Sequence, residues 1–134
     1  MLIPGDVNIQ GDIAVPDSSL FILASKGNIN ISSNVASIEA YYSSERNILI
    51  PSRADLDCSV SGKEDKQLTV DGALVANALK PFASMQPGRV VNERDLCTGN
   101  PSTPSLFVKT RLGFLTLMTD FYKTYETKWE EILP

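Results

Sequence analysis

The chain has 134 residues, 43% of them hydrophobic and 21% charged, with a formal net charge of −4 and a pI of about 4.7. That suits one domain with its own core, and it supplies no Lys/Arg cluster for a phosphate backbone or an anionic membrane surface. There is no histidine, which removes the commonest general base and transition-metal ligand and any Ser-His-Asp triad within the chain.

No stretch approaches the roughly 18 apolar residues that a membrane span needs. Residues 1–4 are too short for a signal peptide, so an exported protein is expected to carry its targeting segment or anchor elsewhere.

The first half alternates apolar and polar residues with period two, the mark of half-buried strands. Val7 and Ile9 alternate with Asp6, Asn8 and Gln10, Ile13 and Val15 with Asp12 and Ala14, and Ile29 and Ile31 with Asn28 and Asn30. Residues 20–24 form a short apolar run. Gly5-Asp-Val-Asn-Ile, Gly11-Asp-Ile-Ala-Val and Gly27-Asn-Ile-Asn-Ile are near copies, each a glycine, an Asp or Asn, and two apolar residues one apart. Glycine and Asx are corner residues, glycine through its free φ and Asx by bonding the backbone at the turn.

Their recurrence predicts a mainly β fold, a short single-stranded parallel β-solenoid of about three coils. The expected strands are 7–9, 13–15 and 20–24 in coil one, 29–31, 35–42 and 47–50 in coil two, and 68–70, 73–79 and 89–91 in coil three, where Leu68 and Val70 match Ile29 and Ile31. The expected core is Ile9, Ile13, Val15, Ile29, Ile31, Val35, Ile38, Leu68, Val70, Leu74 and Ala76. Residues 51–66, rich in Ser, Asp, Lys and Glu, read as a loop inserted at a corner, Asp71-Gly72 as the next corner, 81–88 as a turn, and 92–105 as a linker.

The pattern then changes. Phe114, Met118, Phe121, Tyr125, Trp129 and Ile132 are spaced 4, 3, 4, 4 and 3 apart, which predicts an amphipathic helix near residues 113–131. The expected organisation is a solenoid over 1–110 and a capping or packing segment over 111–134. The stripe of Phe114, Met118, Phe121, Tyr125 and Trp129 is either a cover for the solenoid or a partner surface, and packing on the chain's own solenoid is the reading preferred.

Cys58 and Cys97 lack the C-x-x-C spacing of zinc or redox sites. Cys58 follows the last strand of coil two and Cys97 that of coil three. Strands stack about 4.8 Å apart, close to the Cα separation of a disulfide. The pair is therefore the disulfide candidate, which implies an oxidising compartment.

The glycine-started segments over residues 5–15 and 27–31 resemble bactofilin-type polymer-forming solenoids. They resemble more closely the solenoid regions of large pilus-associated or cell-surface proteins of bacteria. Further elements of the second resemblance are Leu68-Thr-Val-Asp-Gly-Ala-Leu-Val-Ala-Asn77, Arg94-Asp-Leu96, the loop over 101–107, and Trp129-Glu-Glu-Ile-Leu-Pro134. The resemblance implies a parallel β-solenoid, secretion or surface exposure, and a structural role, with no catalytic residues to carry over.

Other constellations read as structural. Asp55, Asp57, Glu64 and Asp65 offer oxygens for calcium, but Arg53, Lys63 and Lys66 interleave and no calcium-loop spacing is present, so a solvated loop is favoured. Glu93 and Asp95 are two apart, as a carboxylate pair on one strand face would be, but ordinary surface charge is favoured. Of Tyr41 and Tyr42, one faces the core and the other is exposed. Asn30-Ile-Ser32 matches a glycosylation sequon that carries no weight in a bacterial chain, and the glycines fit no Walker or Rossmann loop.

The expected function is thus a non-enzymatic structural or interaction module of a larger bacterial envelope or pilus-associated protein, with no catalytic, metal or cofactor residues. Its partners are other domains of that protein or envelope and pilus proteins, and its location is extracytoplasmic. The alternatives are a carbohydrate-binding or carbohydrate-cleaving β-helix and a self-assembling, cytoplasmic, bactofilin-like solenoid.

Overall fold

A computed structural model describes residues 1–76 and 88–111. They are mainly β: β1 (Leu2–Ile3), β2 (Val7–Ile9), β3 (Ile22–Ser25), β4 (Ile29–Ile31), β5 (Ser37–Ser44), β6 (Ile48–Ile50), β7 (Leu68–Ala76), β8 (Val90–Asn92) and β9 (Leu106–Lys109), with one 3₁₀ turn at Cys97–Gly99. Odd-numbered strands make one sheet in the order β1-β3-β5-β7-β9, and even-numbered strands the other in the order β2-β4-β6-β8. Every pairing is parallel, so each strand lies beside the strand two further along the chain.

Period-two alternation sets which side chains face inward. β5 alternates strictly between half-buried and buried residues, placing Ile38, Ala40, Tyr42 and Ser44 inside. In the even sheet Val7, Ile29, Ile48 and Val90 stand in one register column, with Ile29 and Ile48 fully buried. Stacking like on like lets β-branched side chains fill a narrow interior.

The two long strands of the odd sheet are paired differently along their length. Ile38 in the first half of β5 bridges to Ile13, while residues 41–44 pair with β3. Residues 68–71 of β7 pair with β9, and residues 73–76 do not join that pairing. Gly72 sits between the two halves of β7 at φ +152°, where an added Cβ would lie 1.9 Å from the Ala40 carbonyl oxygen. Only glycine fits there.

Of the expected core, Ile9, Ile29, Ile31, Val35, Ile38, Leu68 and Val70 are buried, and Ile13, Leu74 and Ala76 are half-buried against them. Val15 is half-buried and outside that cluster. Leu23, Ala40, Tyr42, Ile48 and Ile50 complete the core.

Several expectations need correction. Within residues 13–15 there is no strand, only an isolated bridge of Ile13 to Ile38. Asp71-Gly72 lies within β7. Leu68 and Val70 do not continue the column of Ile29 and Ile31: they belong to the odd sheet, beside Ser37–Ile38 and Leu106–Val108, because β5 carries the chain through two successive pairings. β1 and β9 were not foreseen. The expected helix over 113–131, with Phe114, Met118, Phe121, Tyr125 and Trp129, lies outside the described residues, as do residues 77–79 and 81–87. Among the described residues no helix is long and apolar enough to cross a membrane.

Candidate functional site

The polar side chains of the corners are used on the backbone. Asp6 Oδ1 accepts the Asn28 amide at 2.7 Å, Asn28 Oδ1 the Asn47 amide at 3.1 Å, and Asn47 Oδ1 the Arg89 amide at 3.0 Å. The steps are 22, 19 and 42 residues long, yet each joins the same corner in neighbouring strands. Beside this ladder the buried Ser25 hydroxyl donates to the Gly5 carbonyl at 2.6 Å, and the buried Ser44 hydroxyl to the Gly27 carbonyl at 2.7 Å.

The Asx half of the Gly-Asx motif was legible in the sequence, but the role of glycine was misread. Gly5, Gly11 and Gly27 all lack positive φ. Gly27 is needed because a Cβ would meet Asp6 Oδ1 at 2.1 Å, whereas Gly5 and Gly11 have open space. The ladders end at the last layer, where Arg89 stands at the Asx position and Ala76 is in register with Ser44. Arginine has no acceptor to offer a further amide.

The inserted loop over residues 51–66 is tied down at three points. Cys58 and Cys97 form a disulfide with a Cα–Cα distance of 5.4 Å. They follow β6 and β8, which are neighbours in the even sheet, as the stacking argument requires. Asp65 is buried and accepts from Ser52 Oγ at 2.6 Å, the Arg53 amide at 2.8 Å and the Asp95 amide at 2.8 Å. Burial pushes this carboxyl up, but those donors and the Arg94 charge outweigh it and hold it below the usual carboxylate range.

Arg94, 5% exposed, donates to the carbonyls of Val35 at 2.7 Å, Lys66 at 2.9 Å and Ser32 at 2.8 Å. Desolvation lowers its affinity for the proton while Asp65 and Asp12 raise it. The sequence hid this residue, because a lone arginine between Glu93 and Asp95 reads as surface charge.

The acidic residues do not converge on a cation. Asp55 accepts two bonds from the Arg53 guanidinium, at 2.7 and 3.0 Å, while Nη1 of that group turns to the Gly62 and Glu64 carbonyls. Asp57 accepts from the Ser59 hydroxyl and amide, and Glu64 from the Gly62 amide. Among the described residues the one convergent group of metal-binding types is Cys58, Asp95 and Cys97, and its two sulfurs are joined to each other. Asp95 Oδ1 turns to the Cys97 amide and the Asn100 side chain, while Glu93 lines a hollow on the outer face of the even sheet. Tyr42 faces the core and Tyr41 is half-buried.

That hollow, of about 270 Å³, adjoins one of about 470 Å³ lined by Asn8, Gln10, Asn30, Ser32 and Asn34. Among the described residues that line them there is no aromatic ring. Asn30 Nδ2 donates to Asn8 Oδ1 at 2.8 Å, an amide pair that runs across the strands. No family model matches this sequence, and no curated protein or solved structure matches it.

Proposed function

We propose that the chain is a non-enzymatic structural and interaction module, a short parallel β-solenoid that serves as a stiff element of a larger bacterial envelope or pilus-associated protein outside the cytoplasm. The divided pairing of β5 and β7 supports the solenoid reading. Residues 7–9, 29–31, 48–50 and 90–92 make one side, residue 13 with 37–40, 68–71 and 106–109 a second, and 2–3, 22–25, 41–44 and 73–76 a third.

The observation that carries the functional reading is how the polar residues are used. Asp6, Asn28, Asn47, Ser25, Ser44, Asp65 and Arg94 are all engaged in holding backbone. The disulfide supports an extracytoplasmic setting, since such bonds persist in oxidising compartments. The ends of both ladders, at Arg89 and Ala76, favour a module of fixed length over a self-extending, bactofilin-like filament.

Labelled glycans titrated at micromolar concentration, with light scattering of the free protein, test this reading. Absence of glycan binding and a small, defined particle are expected. Saturable glycan binding favours the carbohydrate-binding alternative, and growing filaments the self-assembling one.

A further inference from the structure

The outward face of the odd sheet is divided in character. Beside β9 it is charged: Glu39, Asp71 and Lys109 point out together with Thr69 and the exposed Phe107, and Lys109 Nζ lies 3.2 Å from Asp71. Over β1, β3 and the second halves of β5 and β7 its outward side chains are uncharged, and the Met1 ammonium lies at its edge on the Ile22 carbonyl. Leu2, Ala24, Ser43 and Val75 stand in one register column, and Ile22, Tyr41 and Ala73 in the next. Leu2 is 67% exposed, Ile22 38% and Val75 42%. A sheet face left to water normally carries polar residues at these positions, and a contiguous apolar one marks an interaction surface.

Arg111 fixes where the chain goes after β9. Its guanidinium donates to the Val15 carbonyl and to Glu39 Oε2, both at 2.9 Å, and pairs with Asp17. Glu39 Oε2 also accepts the Val15 amide at 2.7 Å. Glu39 is two residues before Tyr41 on the same outward face, so this clamp holds the departing chain at the border of the uncharged flank. Three residues later comes Phe114, the first of the apolar stripe.

We propose that this flank is the docking surface for the chain's own C-terminal stripe, Phe114, Met118, Phe121, Tyr125 and Trp129. The dimensions agree. Residues 114–129, wound as the helix their spacing predicts, reach about 24 Å. The flank from β1 to β7 is about 14 Å across at the spacing of neighbouring strands. The stripe has the apolar area to cover it, the flank's outward side chains carry no charge to desolvate, and the Arg111 clamp starts the segment at the right edge. The open end of the stack is the competing seat: Val90 and Val108 are exposed there, but the Arg111 side chain is anchored at the border of the flank, on Val15 and Glu39.

Trp129 is the sole tryptophan, so its fluorescence reports the docking directly. Ile22→Lys, Val75→Lys and Leu2→Lys each place a charge on the flank at an exposed position, and Val90→Lys places one at the open end. Far-UV circular dichroism selects the variants that keep the fold. The proposal expects a blue-shifted, poorly quenched Trp129 in the natural chain. It expects a red shift and a several-fold rise in acrylamide quenching in the flank variants, and no change in Val90→Lys. A shift in Val90→Lys alone overturns it in favour of an end cap. A blue shift that disappears on dilution, with a mass of two chains, overturns it in favour of a second copy. Trp129 quenched as freely as a short peptide, or unmoved by every flank variant, also overturns it.

Discussion

Replacing Arg94 by methionine removes three charge-assisted hydrogen bonds while keeping most of the side-chain volume. Its guanidinium reaches three carbonyls, Ser32 and Val35 in the turn between β4 and β5 and Lys66 at the end of the inserted loop. Each bond to a charged donor contributes about 1.5–3 kcal/mol. Part of that is offset, because a buried guanidinium is costly to desolvate and Arg94 Nε has no acceptor among the described residues. The net loss expected is about 3–5 kcal/mol, the usual result of removing one side of a buried charged contact. That is a large share of a domain's typical stability of about 5–15 kcal/mol. Urea unfolding followed by far-UV circular dichroism measures it, and at a slope of about 2 kcal/mol/M the midpoint should fall by roughly 2 M. Arg94→Lys should recover only part of the loss, since a point ammonium lacks the fork that spans three carbonyls. Arg94→Met within about 1 kcal/mol of the natural protein, or Arg94→Lys equal to it, refutes this reasoning.

Ile31→Asp should leave no cooperative unfolding transition, because it buries an unpaired charge in a fully enclosed position, whereas Leu49→Asn on the outward face of β6 should keep one. Asp65 has its folded pKa below the unfolded value, so its contribution is present above the unfolded pKa of about 3.9 and is lost as pH falls through the folded one. Urea midpoints taken from about pH 7 to about pH 3 should therefore drop on the acid side, and drop less steeply in Asp65→Asn. The Tyr42 hydroxyl is buried without a partner among the described residues, and burial, with the Glu39 charge second, raises its pKa to about 12. Tyr42→Phe should be neutral or stabilising by about 1 kcal/mol in the same melts, and a clear loss would mean that the hydroxyl has a partner.

The sequence was informative wherever a local rule decides the outcome. Alternation located β2 and β4, the coil scheme placed a strand over 47–50 where β6 lies, and the Asx after each corner residue marked the ladder that starts at Asp6. The first interval between repeats, 22 residues, is the step from Asp6 to Asn28. Legibility stopped where the chain lengthens between layers. The later steps are 19 and 42 residues, so no fixed period aligns Leu68 with its true neighbours. β9 was hidden because its exposed Phe107 and Val108 have no alternation to reveal them. The buried carboxylate and guanidinium were equally hidden. Asp65 and Arg94 lie in charge-rich stretches, and only the fold turns them inward. The disulfide was legible because each cysteine follows a strand of the same sheet.

The thiol state of the native protein tests the account most directly. The Cys58–Cys97 bridge is both the staple of the inserted loop and the ground for an extracytoplasmic setting. A bridge between residues 39 apart stabilises by about 3.9 kcal/mol through the entropy of the unfolded chain. Protein isolated from its own cells under alkylating conditions, measured by intact mass before and after reduction, should take up no alkyl groups until it is reduced and two afterwards. Two alkyl groups on the unreduced native protein would contradict the bridge and remove the main support for a module working outside the cytoplasm.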